Sequence, residues 1–443
     1  MSDTIFALSS AAGRGGVAVV RVSGALAAVS ARALAGKECV PRYATFVHLK
    51  DDVSRETIDH ALVTVFESPK SFTGEDVTEY YVHGGRAVVQ SLLEALAQQE
   101  GHRMAEPGEF TRRAFENGKI DLTEAEAIAD LIDAETVFQK NQALSQLSGA
   151  LSSLYFEWAD VLKRALAHAE ADLEFPDEEL EDGFEALIKP QVEALLGELA
   201  DHLDDNRRGE RLRDGVQVAI IGAPNAGKSS LLNVLAQRDV AIVSDVAGTT
   251  RDVIEVHLDL GGYPVVFLDT AGLRPEHIGA DGHDAIENEG MKRALERAED
   301  ADLRILIFDG QHGEPDAATL DLRRDFDLCL INKVDQDVCL SLESALKISA
   351  KTGAGIPAFL DNLTLRVQDI MGAQSEKPSL TRQRHRFALE ECRTYLERSL
   401  QAQMPELMAE DLRVGLRCLG RVTGRVLPDD LLDVIFQDFC LGK

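Results

Sequence analysis

The sequence predicts a multidomain fold that combines α+β and α/β parts. An α+β domain spans residues 1–117. A helical domain follows in two pieces, 118–214 and 371–443, and an α/β domain is inserted between them at 215–370. Three observations predict this. Short β-rich runs dominate the first part of the chain. From about residue 120 the apolar period becomes that of a helix. At Val216 a buried-strand run ends in a Gly-rich turn, and strands and helices then alternate until helical patterning resumes. A length of 443 residues suits two to four domains at about 150 residues each.

The elements follow in order. Thr4–Leu8, Val17–Val22 and Ala61–Phe66 are strand-like runs. Arg86 to Gln99 reads as an amphipathic helix with Val88, Leu92, Leu93 and Leu96 on one face. Thr123 and Glu126 match a capping box before Ala125, Ile128, Ala129 and Ile132. Helical patterning runs on to about residue 208, interrupted by the acidic stretch Phe175–Leu180, which reads as a solvated loop and helix start. Val216–Ile221, Val265–Leu268, Leu328–Ile331 and the short run Leu346–Ile348 are the strands of the inserted domain. Lys377–Thr381 reads as a linker into a helix from Arg382 to Gln403, and a last helix covers Asp429 to Phe436. The two helical pieces are expected to meet in space, since they flank an insertion.

Composition excludes several classes. Apolar residues make up 45% of the chain, enough to bury real cores and to exclude intrinsic disorder. Acids outnumber bases by 76 to 46, giving a net charge of −30, which argues against a protein that coats nucleic acid by itself. No apolar run approaches the roughly 18–20 residues of a membrane span, and no secretory signal opens the chain, so a cytoplasmic protein is expected. None of the six cysteines forms a CxxC pair. Five are expected to be reduced, buried, small residues of a cytosolic protein; Cys440, near the C-terminus, stands apart.

The chemistry begins at Gly222–Ser229, which matches G-x-x-x-x-G-K-[ST] between a strand and an apolar helix start. In such a turn Asn225, Ala226, Gly227, Lys228, Ser229 and Ser230 wrap phosphate oxygens with backbone N–H groups at the positive end of a helix. Lys228 reaches the outer phosphates and the Ser229 hydroxyl ligates Mg²⁺. Asn332, Lys333 and Asp335 form N-K-x-D after a strand. The Asp335 carboxylate can accept from both N–H donors of guanine, a pair adenine lacks. Ser349, Ala350 and Lys351 can back the base with a main-chain N–H. In this order behind a phosphate-binding turn, the set specifies GTP over ATP and a Ras-like P-loop GTPase domain. Asp269, Thr270, Ala271 and Gly272 end another strand, with the Asp placed to hold Mg²⁺ through water and the Gly N–H to sense the γ-phosphate. Thr250, in Gly248-Thr249-Thr250, supplies a second Mg²⁺ hydroxyl. Both segments are expected to be switches. Leu273 stands where Ras-type enzymes carry a water-orienting Gln, so that group must come from elsewhere.

These motifs, with the opening Asp3-Thr4-Ile5, the run Ser71–Gly85 and the terminal Phe439-Cys440-Leu441-Gly442-Lys443, closely resemble the MnmE (TrmE) family of bacterial tRNA modification GTPases, over the whole chain. The resemblance implies an N-terminal domain that binds a tetrahydrofolate derivative, 5-formyl- or methylene-tetrahydrofolate, and dimerises. It implies partnership of the homodimer with MnmG, an FAD protein through which tRNA mainly binds. The pair is implied to place an aminomethyl or carboxymethylaminomethyl group on C5 of the wobble uridine. It also implies K⁺-stimulated pairing of G domains. Matching motif by motif, Asn225 corresponds to the K⁺-ligating Asn. The loop of Ser244, Asp245, Val246, Ala247, Gly248, Thr249 and Thr250 corresponds to the cation loop, with backbone oxygens of Ser244, Val246 and Thr249 completing the K⁺ shell. The catalytic Glu matches Glu287, with Glu289 as rival, because the stretch Pro275–Ile286 looks extended. Arg21, Glu79, Lys119 and Lys443 match folate contacts, and Cys440 is a candidate catalytic thiol beside them. Two rivals stand against this: an Era-like ribosome-assembly GTPase, disfavoured by the acidic charge, and a non-catalytic scaffold gated by GTP.

Overall fold

The computed structural model describes residues 3–11, 13–174, 183–238, 240–242, 256–268, 299–372, 378–426, 429–437, 439 and 442. The chain divides into two compact units, one of residues 1–129, 146–163 and 416–443, the other of 130–145 and 164–415.

The first unit is built on a six-stranded sheet of β1 (Thr4–Leu8), β2 (Gly15–Ser23), β3 (Thr45–Lys50), β4 (Thr57–Phe66), β5 (Val77–Gly84) and β6 (His102–Met104), in the order β3-β4-β5-β2-β1-β6. All pairs are antiparallel except β1 with β6. The period of two assigns the faces. Val47, Leu49, Ala61, Val63, Tyr80, Val82, Val20 and Val22 are buried in one core with Ala31 and Leu34 of α1 (Ala27–Ala35) and Leu92 and Leu96 of α2 (Arg86–Ala97). Phe46, His48, His60 and Leu62 alternate with them and are exposed. Strand β1 is buried on both sides: Phe6 joins that core, and Ile5 and Ala7 pack with Ala105 and with Phe110 of α3 (Glu109–Glu116).

Helices follow as α4 (Leu122–Asp133), α5 (Val137–Leu147), α6 (Ala150–Glu174), α7 (Gly183–Leu203) and α8 (Arg208–Asp214). The cap of α4 corrects the Thr123–Glu126 expectation. The reciprocal pair is Asp121 and Glu124: the Glu124 N–H donates to Asp121 Oδ1 at 3.0 Å, and the Asp121 N–H donates to Glu124 Oε2 at 2.8 Å. Asp caps as well as Thr, and starting two residues earlier buries Leu122 in the helix.

The second unit carries a seven-stranded sheet of β7 (Val216–Ile221), β8 (Ala241–Ile242), β9 (Val256–Leu260), β10 (Tyr263–Leu268), β11 (Leu303–Asp309), β12 (Leu328–Asn332) and β13 (Leu346–Lys347), in the order β13-β12-β11-β7-β10-β9-β8. Five strands run parallel, and β9 pairs antiparallel with β8 and β10. The central strands are continuous apolar runs, as burial on both faces demands. Among the described residues the segment also carries helices α9 (Lys228–Ala236) and α11 (Ile356–Met371), with the short α10 (Ala317–Asp321) between them in the chain, and Leu231, Leu235, Phe359 and Leu363 share its core. Because β10 and β11 flank β7 on opposite sides, the connections diverge at the carboxyl end of β7, where α/β sheets bind ligands.

The chain ends in α12 (Gln383–Gln401), α13 (Pro405–Thr423) and α14 (Asp429–Gln437). Helix α13 is absent from the sequence reading; Gly415 and Gly420 weaken its local signal, and a side chain at Gly415 would crowd Leu396 at 3.2 Å. The flanks of the α/β segment do meet. Arg386 donates to the Leu203 carbonyl at 2.8 Å, to Asp205 at 2.6 Å and to Glu210 at 3.0 Å. The cysteine expectation needs one correction: Cys39, Cys329, Cys392 and Cys418 are buried, but Cys339 is exposed because it lies in the irregular connection after β12. Among the described residues no helix is long and apolar enough to cross a membrane.

Candidate functional site

Strand β7 delivers the Gly222–Ser229 turn to the carboxyl edge of the sheet, and α9 begins at Lys228. The helix N-terminus has no side-chain cap, so its first N–H groups are left for an anion. Its N-cap, Gly227, has a φ of +103°, and a Cβ there would fall 2.1 Å from Asn332 Nδ2, so only glycine fits. Asn225 also has a positive φ, +64°, a conformation Asn tolerates better than most residues. Lys228 Nζ donates to the carbonyls of Gly222 at 2.7 Å and Ala223 at 3.1 Å, which holds the ammonium over the turn.

Asn332, the last residue of β12, joins three segments. Its Nδ2 donates to the Ala226 carbonyl at 2.8 Å, and its Oδ1 accepts from the Ala350 N–H at 3.0 Å. It is 2% exposed. Ser349 Oγ donates to Asp335 Oδ1 at 2.6 Å, and that bond is the main cause holding the Asp335 carboxyl below its ordinary value. Asp335 therefore stays an ionised acceptor, aligned by Ser349. Lys333, at φ +67°, donates through Nζ to Asp309 Oδ2 at 2.6 Å. Burial opposes ionisation of Asp309, but Lys333 and the Gln311 N–H outweigh it and lower its pKa. Asp309 was not singled out in the sequence; its signal is its place at the end of β11, in register with Asn332. Thus Ala226, Gly227, Asn332, Asp335, Ser349 and Ala350 are brought together, while Ser229 and Ser230 lie in the first turn of α9. Ser244, Asp245, Val246, Ala247, Gly248, Thr249, Thr250, Asp269, Thr270, Ala271, Gly272, Leu273, Glu287 and Glu289 lie outside the described residues, as do the Phe175–Leu180 stretch, Cys440 and Lys443.

A second cluster lies on the open face of the first unit. Arg21 and Glu79 are opposite each other on β2 and β5 and form an ion pair at 2.9 Å, both side chains partly exposed. The Arg21 guanidinium lies 5.3 Å from the Phe72 ring and 5.8 Å from Phe110, within cation–π range. Tyr81 donates to Glu79 Oε2 at 2.5 Å; burial, then this bond, push its pKa up to about 12. Lys119 Nζ donates to the Pro69 carbonyl at 2.9 Å, so Lys119 and Arg21 approach the same 69–74 loop. Ser9 Oγ donates to the Gly442 carbonyl at 2.8 Å, which places Gly442 beside the residue that follows β1, the neighbour of Arg21's strand. Phe72 and Tyr81 lie in the run Ser71–Gly85 that carries the resemblance, but the sequence gives neither a role of its own.

Two family models match: the MnmE helical domain over residues 122–440, and the GTP-binding protein TrmE N-terminus over residues 4–119. The chain belongs to the MnmE family. A relative from Parvibaculum lavamentivorans, named tRNA modification GTPase MnmE, is 54% identical over 447 residues, covering all of both chains. One of the same name from Rhodospirillum rubrum is 50% identical, covering 100% of this chain and 99% of its own. Among solved structures, Era from Aquifex aeolicus is similar at 21% identity, covering 43% of this chain and 69% of its own, with a TM-score of 0.26. The P-loop architecture rests on the strand order given above and not on that likeness. The MnmE helical model brackets the whole α/β segment, as expected of a helical domain split by an inserted Ras-like P-loop GTPase domain.

Proposed function

We propose that this protein is a cytoplasmic tRNA modification GTPase. It binds GTP at the Gly222–Ser229 turn, with guanine read by Asp335 and backed by Ser349, Ala350 and Lys351. The residues fit that ligand: an uncapped helix N-terminus faces the phosphates, and phosphate oxygens would compete for the Lys228 ammonium now satisfied by Gly222 and Ala223. The single observation that carries the reading is that Asn332 ties this turn to the guanine-reading segments, within a chain matched end to end by relatives named tRNA modification GTPase MnmE.

Ser229 and Thr250 are proposed to hold Mg²⁺, with Asp269 acting through water. Asn225 and the backbone oxygens of Ser244, Val246 and Thr249 are proposed to hold K⁺. Bound there, Mg²⁺ and K⁺ would stabilise the negative charge that develops on the phosphates. Glu287, or Glu289 in its place, orients the water that Leu273 cannot. Arg21, Glu79, Lys119 and Lys443 are proposed to bind a tetrahydrofolate derivative. The cluster suits it: a guanidinium for the glutamate tail, a carboxylate for the amino-pyrimidine edge, and the Phe72 ring for a planar group. Bound there, the folate would supply a one-carbon unit, and Cys440 is proposed as a thiol beside that pocket. As a homodimer partnered by MnmG, which carries the FAD, the protein adds an aminomethyl or carboxymethylaminomethyl group to the wobble uridine of certain tRNAs. The proposed domains are 1–117, 118–214, 215–370 and 371–443.

The test is nucleoside analysis of tRNA from cells lacking the protein, alongside GTP hydrolysis by the purified chain. Loss of the modified wobble uridine, restored by the parent gene and not by a Lys228→Ala copy, is the expected result. Unchanged tRNA nucleosides would overturn it.

A further inference from the structure

Helix α5 packs against the hairpin that lies, in the chain, between the two switch sequences of the α/β segment. Strand β9 begins at Val256, just after the run ending in Thr250, and β10 ends at Leu268, next to Asp269. The hairpin between them turns through Gly261 and Gly262, with φ +66° and +95°, the two-residue turn with positive φ at both positions. Against that turn lies Phe138. Its ring is 4.8 Å from the Tyr263 ring, centroid to centroid, in an edge-on arrangement. A Cβ at Gly262 would come within 2.8 Å of Phe138, so the turn is shaped to accept this side chain. One residue before the helix cap, Glu135 Oε2 meets His257 Nδ1 at 2.8 Å on β9.

The start of α5 is itself fixed. Thr136 and Gln139 form a reciprocal cap: Gln139 Oε1 accepts from the Thr136 N–H at 3.0 Å, and Thr136 Oγ1 accepts from the Gln139 N–H at 3.4 Å. Gln139 Nε2 then donates to the Arg213 carbonyl at 3.0 Å, and Gln142 Nε2 to the Gly209 carbonyl at 3.1 Å. Those carbonyls belong to α8, the segment that leads into β7 and the phosphate turn. One short stretch of helix therefore holds both the entry to β7 and the hairpin that separates the two switch sequences.

We propose that Glu135–Gln142 is a positioning element for GTP hydrolysis, with Phe138 as its central residue, acting through the β9–β10 hairpin; this rests on the GTPase reading above. Phe138 touches no nucleotide group. It packs on the turn that joins β9 to β10, the described strands nearest in the chain to the sequences of Thr250 and Asp269. By reciprocity, a nucleotide that favours one hairpin position also biases α5.

The experiment uses full-length protein and separates binding from turnover. Phe138→Ala is expected to keep GDP affinity within about twofold while kcat falls on the order of tenfold, and Phe138→Tyr to recover most of the rate. Glu135→Gln, which keeps the side-chain shape, gives a second reading should Phe138→Ala fail to fold; a severalfold fall in kcat at unchanged GDP affinity is expected. Hydrogen exchange of residues 137–147 is expected to differ between the GDP state and that with a non-hydrolysable GTP analogue, and Phe138→Ala is expected to abolish the difference. Unchanged kcat in both variants, or exchange in α5 that ignores the nucleotide in the parent, overturns the proposal. A parent that binds no nucleotide would instead refute the GTPase reading.

Discussion

Asn332→Ala is the sharpest perturbation of the nucleotide site, because it removes a tie and no group that would touch the ligand's phosphates. The substitution deletes the donor to the Ala226 carbonyl and the acceptor of the Ala350 N–H. Both partners sit on residues that are nearly inaccessible, Ala226 at 1% and Ala350 at 6% exposed, so neither gains water as a ready substitute. A buried polar group left unpaired costs about 1–3 kcal/mol, so the pair costs about 2–6 kcal/mol. For a unit of this size that corresponds to a fall in melting temperature on the order of 5–20 °C. The same tie sets the phosphate turn against the base-reading segments, so nucleotide affinity should fall as well, on the order of tenfold or more, once the protein must order them on binding. Thermal unfolding with and without GDP, and titration with a fluorescent GDP analogue, measure the two losses. Asn332→Asp should be no better, since it keeps the acceptor for Ala350 but sets an oxygen against the Ala226 carbonyl. A variant that melts with the parent and binds GDP equally well would refute the reasoning.

Four further outcomes are expected. Asp335→Asn should weaken GTP on the order of 10²-fold and favour xanthosine triphosphate, because the donor–acceptor pattern at that edge is exchanged; competition binding with the two nucleotides decides it. Hydrolysis by the parent should be faster in K⁺ than in Na⁺, and both Asn225→Ala and Asn225→Gly should erase the difference; the glycine variant carries no penalty at φ +64°, so strain cannot account for the loss. Arg21→Ala and Lys119→Ala should weaken 5-formyltetrahydrofolate with GTP affinity unaltered, as read by equilibrium binding. The Glu109 carboxyl lies below its ordinary value of 4.5: burial would raise it, but hydrogen bonds from Arg103, the Glu106 N–H and Arg113 prevail. A depressed folded-state pKa gives stability that is present above the unfolded value and lost as pH falls through the folded one. Unfolding midpoints measured below about pH 5 should therefore drop less steeply for Glu109→Gln than for the parent.

The sequence made legible what is local. Apolar runs such as Val216–Ile221 and Leu328–Ile331 announce buried parallel strands, and the phosphate turn and Asn332–Asp335 carry their signatures within a few residues. What depends on distant partners was not legible. Asp121 and Thr123 are both plausible caps, and only burial of Leu122 decides between them. Helix α13 holds two glycines whose cost is offset by packing, which no window on the sequence registers. Asp309 is ordinary until the register of β11 with β12 sets it against Lys333. Phe138 reads as one apolar residue on a helix, and only the Gly261–Gly262 turn, far along the chain, gives it a role.

An inserted α/β segment raises a geometric problem that apolar packing alone does not solve, because its entry and exit must be held in one register. Here the solution is arginine. Arg386, in α12 after the exit, forks to the Leu203 carbonyl, Asp205 and Glu210, all before the entry. Arg213, at the entry, and Arg382, just after the exit, converge on Asp130, at 2.9 and 2.7 Å. A planar guanidinium with five fixed donors specifies orientation as well as proximity, which a leucine in the same place would not. Burial makes the arrangement costly to break: Arg386, Asp205 and Glu210 have side chains only 10%, 9% and 12% exposed, and removing one member of such a group costs about 3–5 kcal/mol by stranding the rest. The junction therefore holds entry and exit in a fixed relation, and through Arg213, whose carbonyl accepts from Gln139, it is continuous with α5 and the hairpin contact of Phe138.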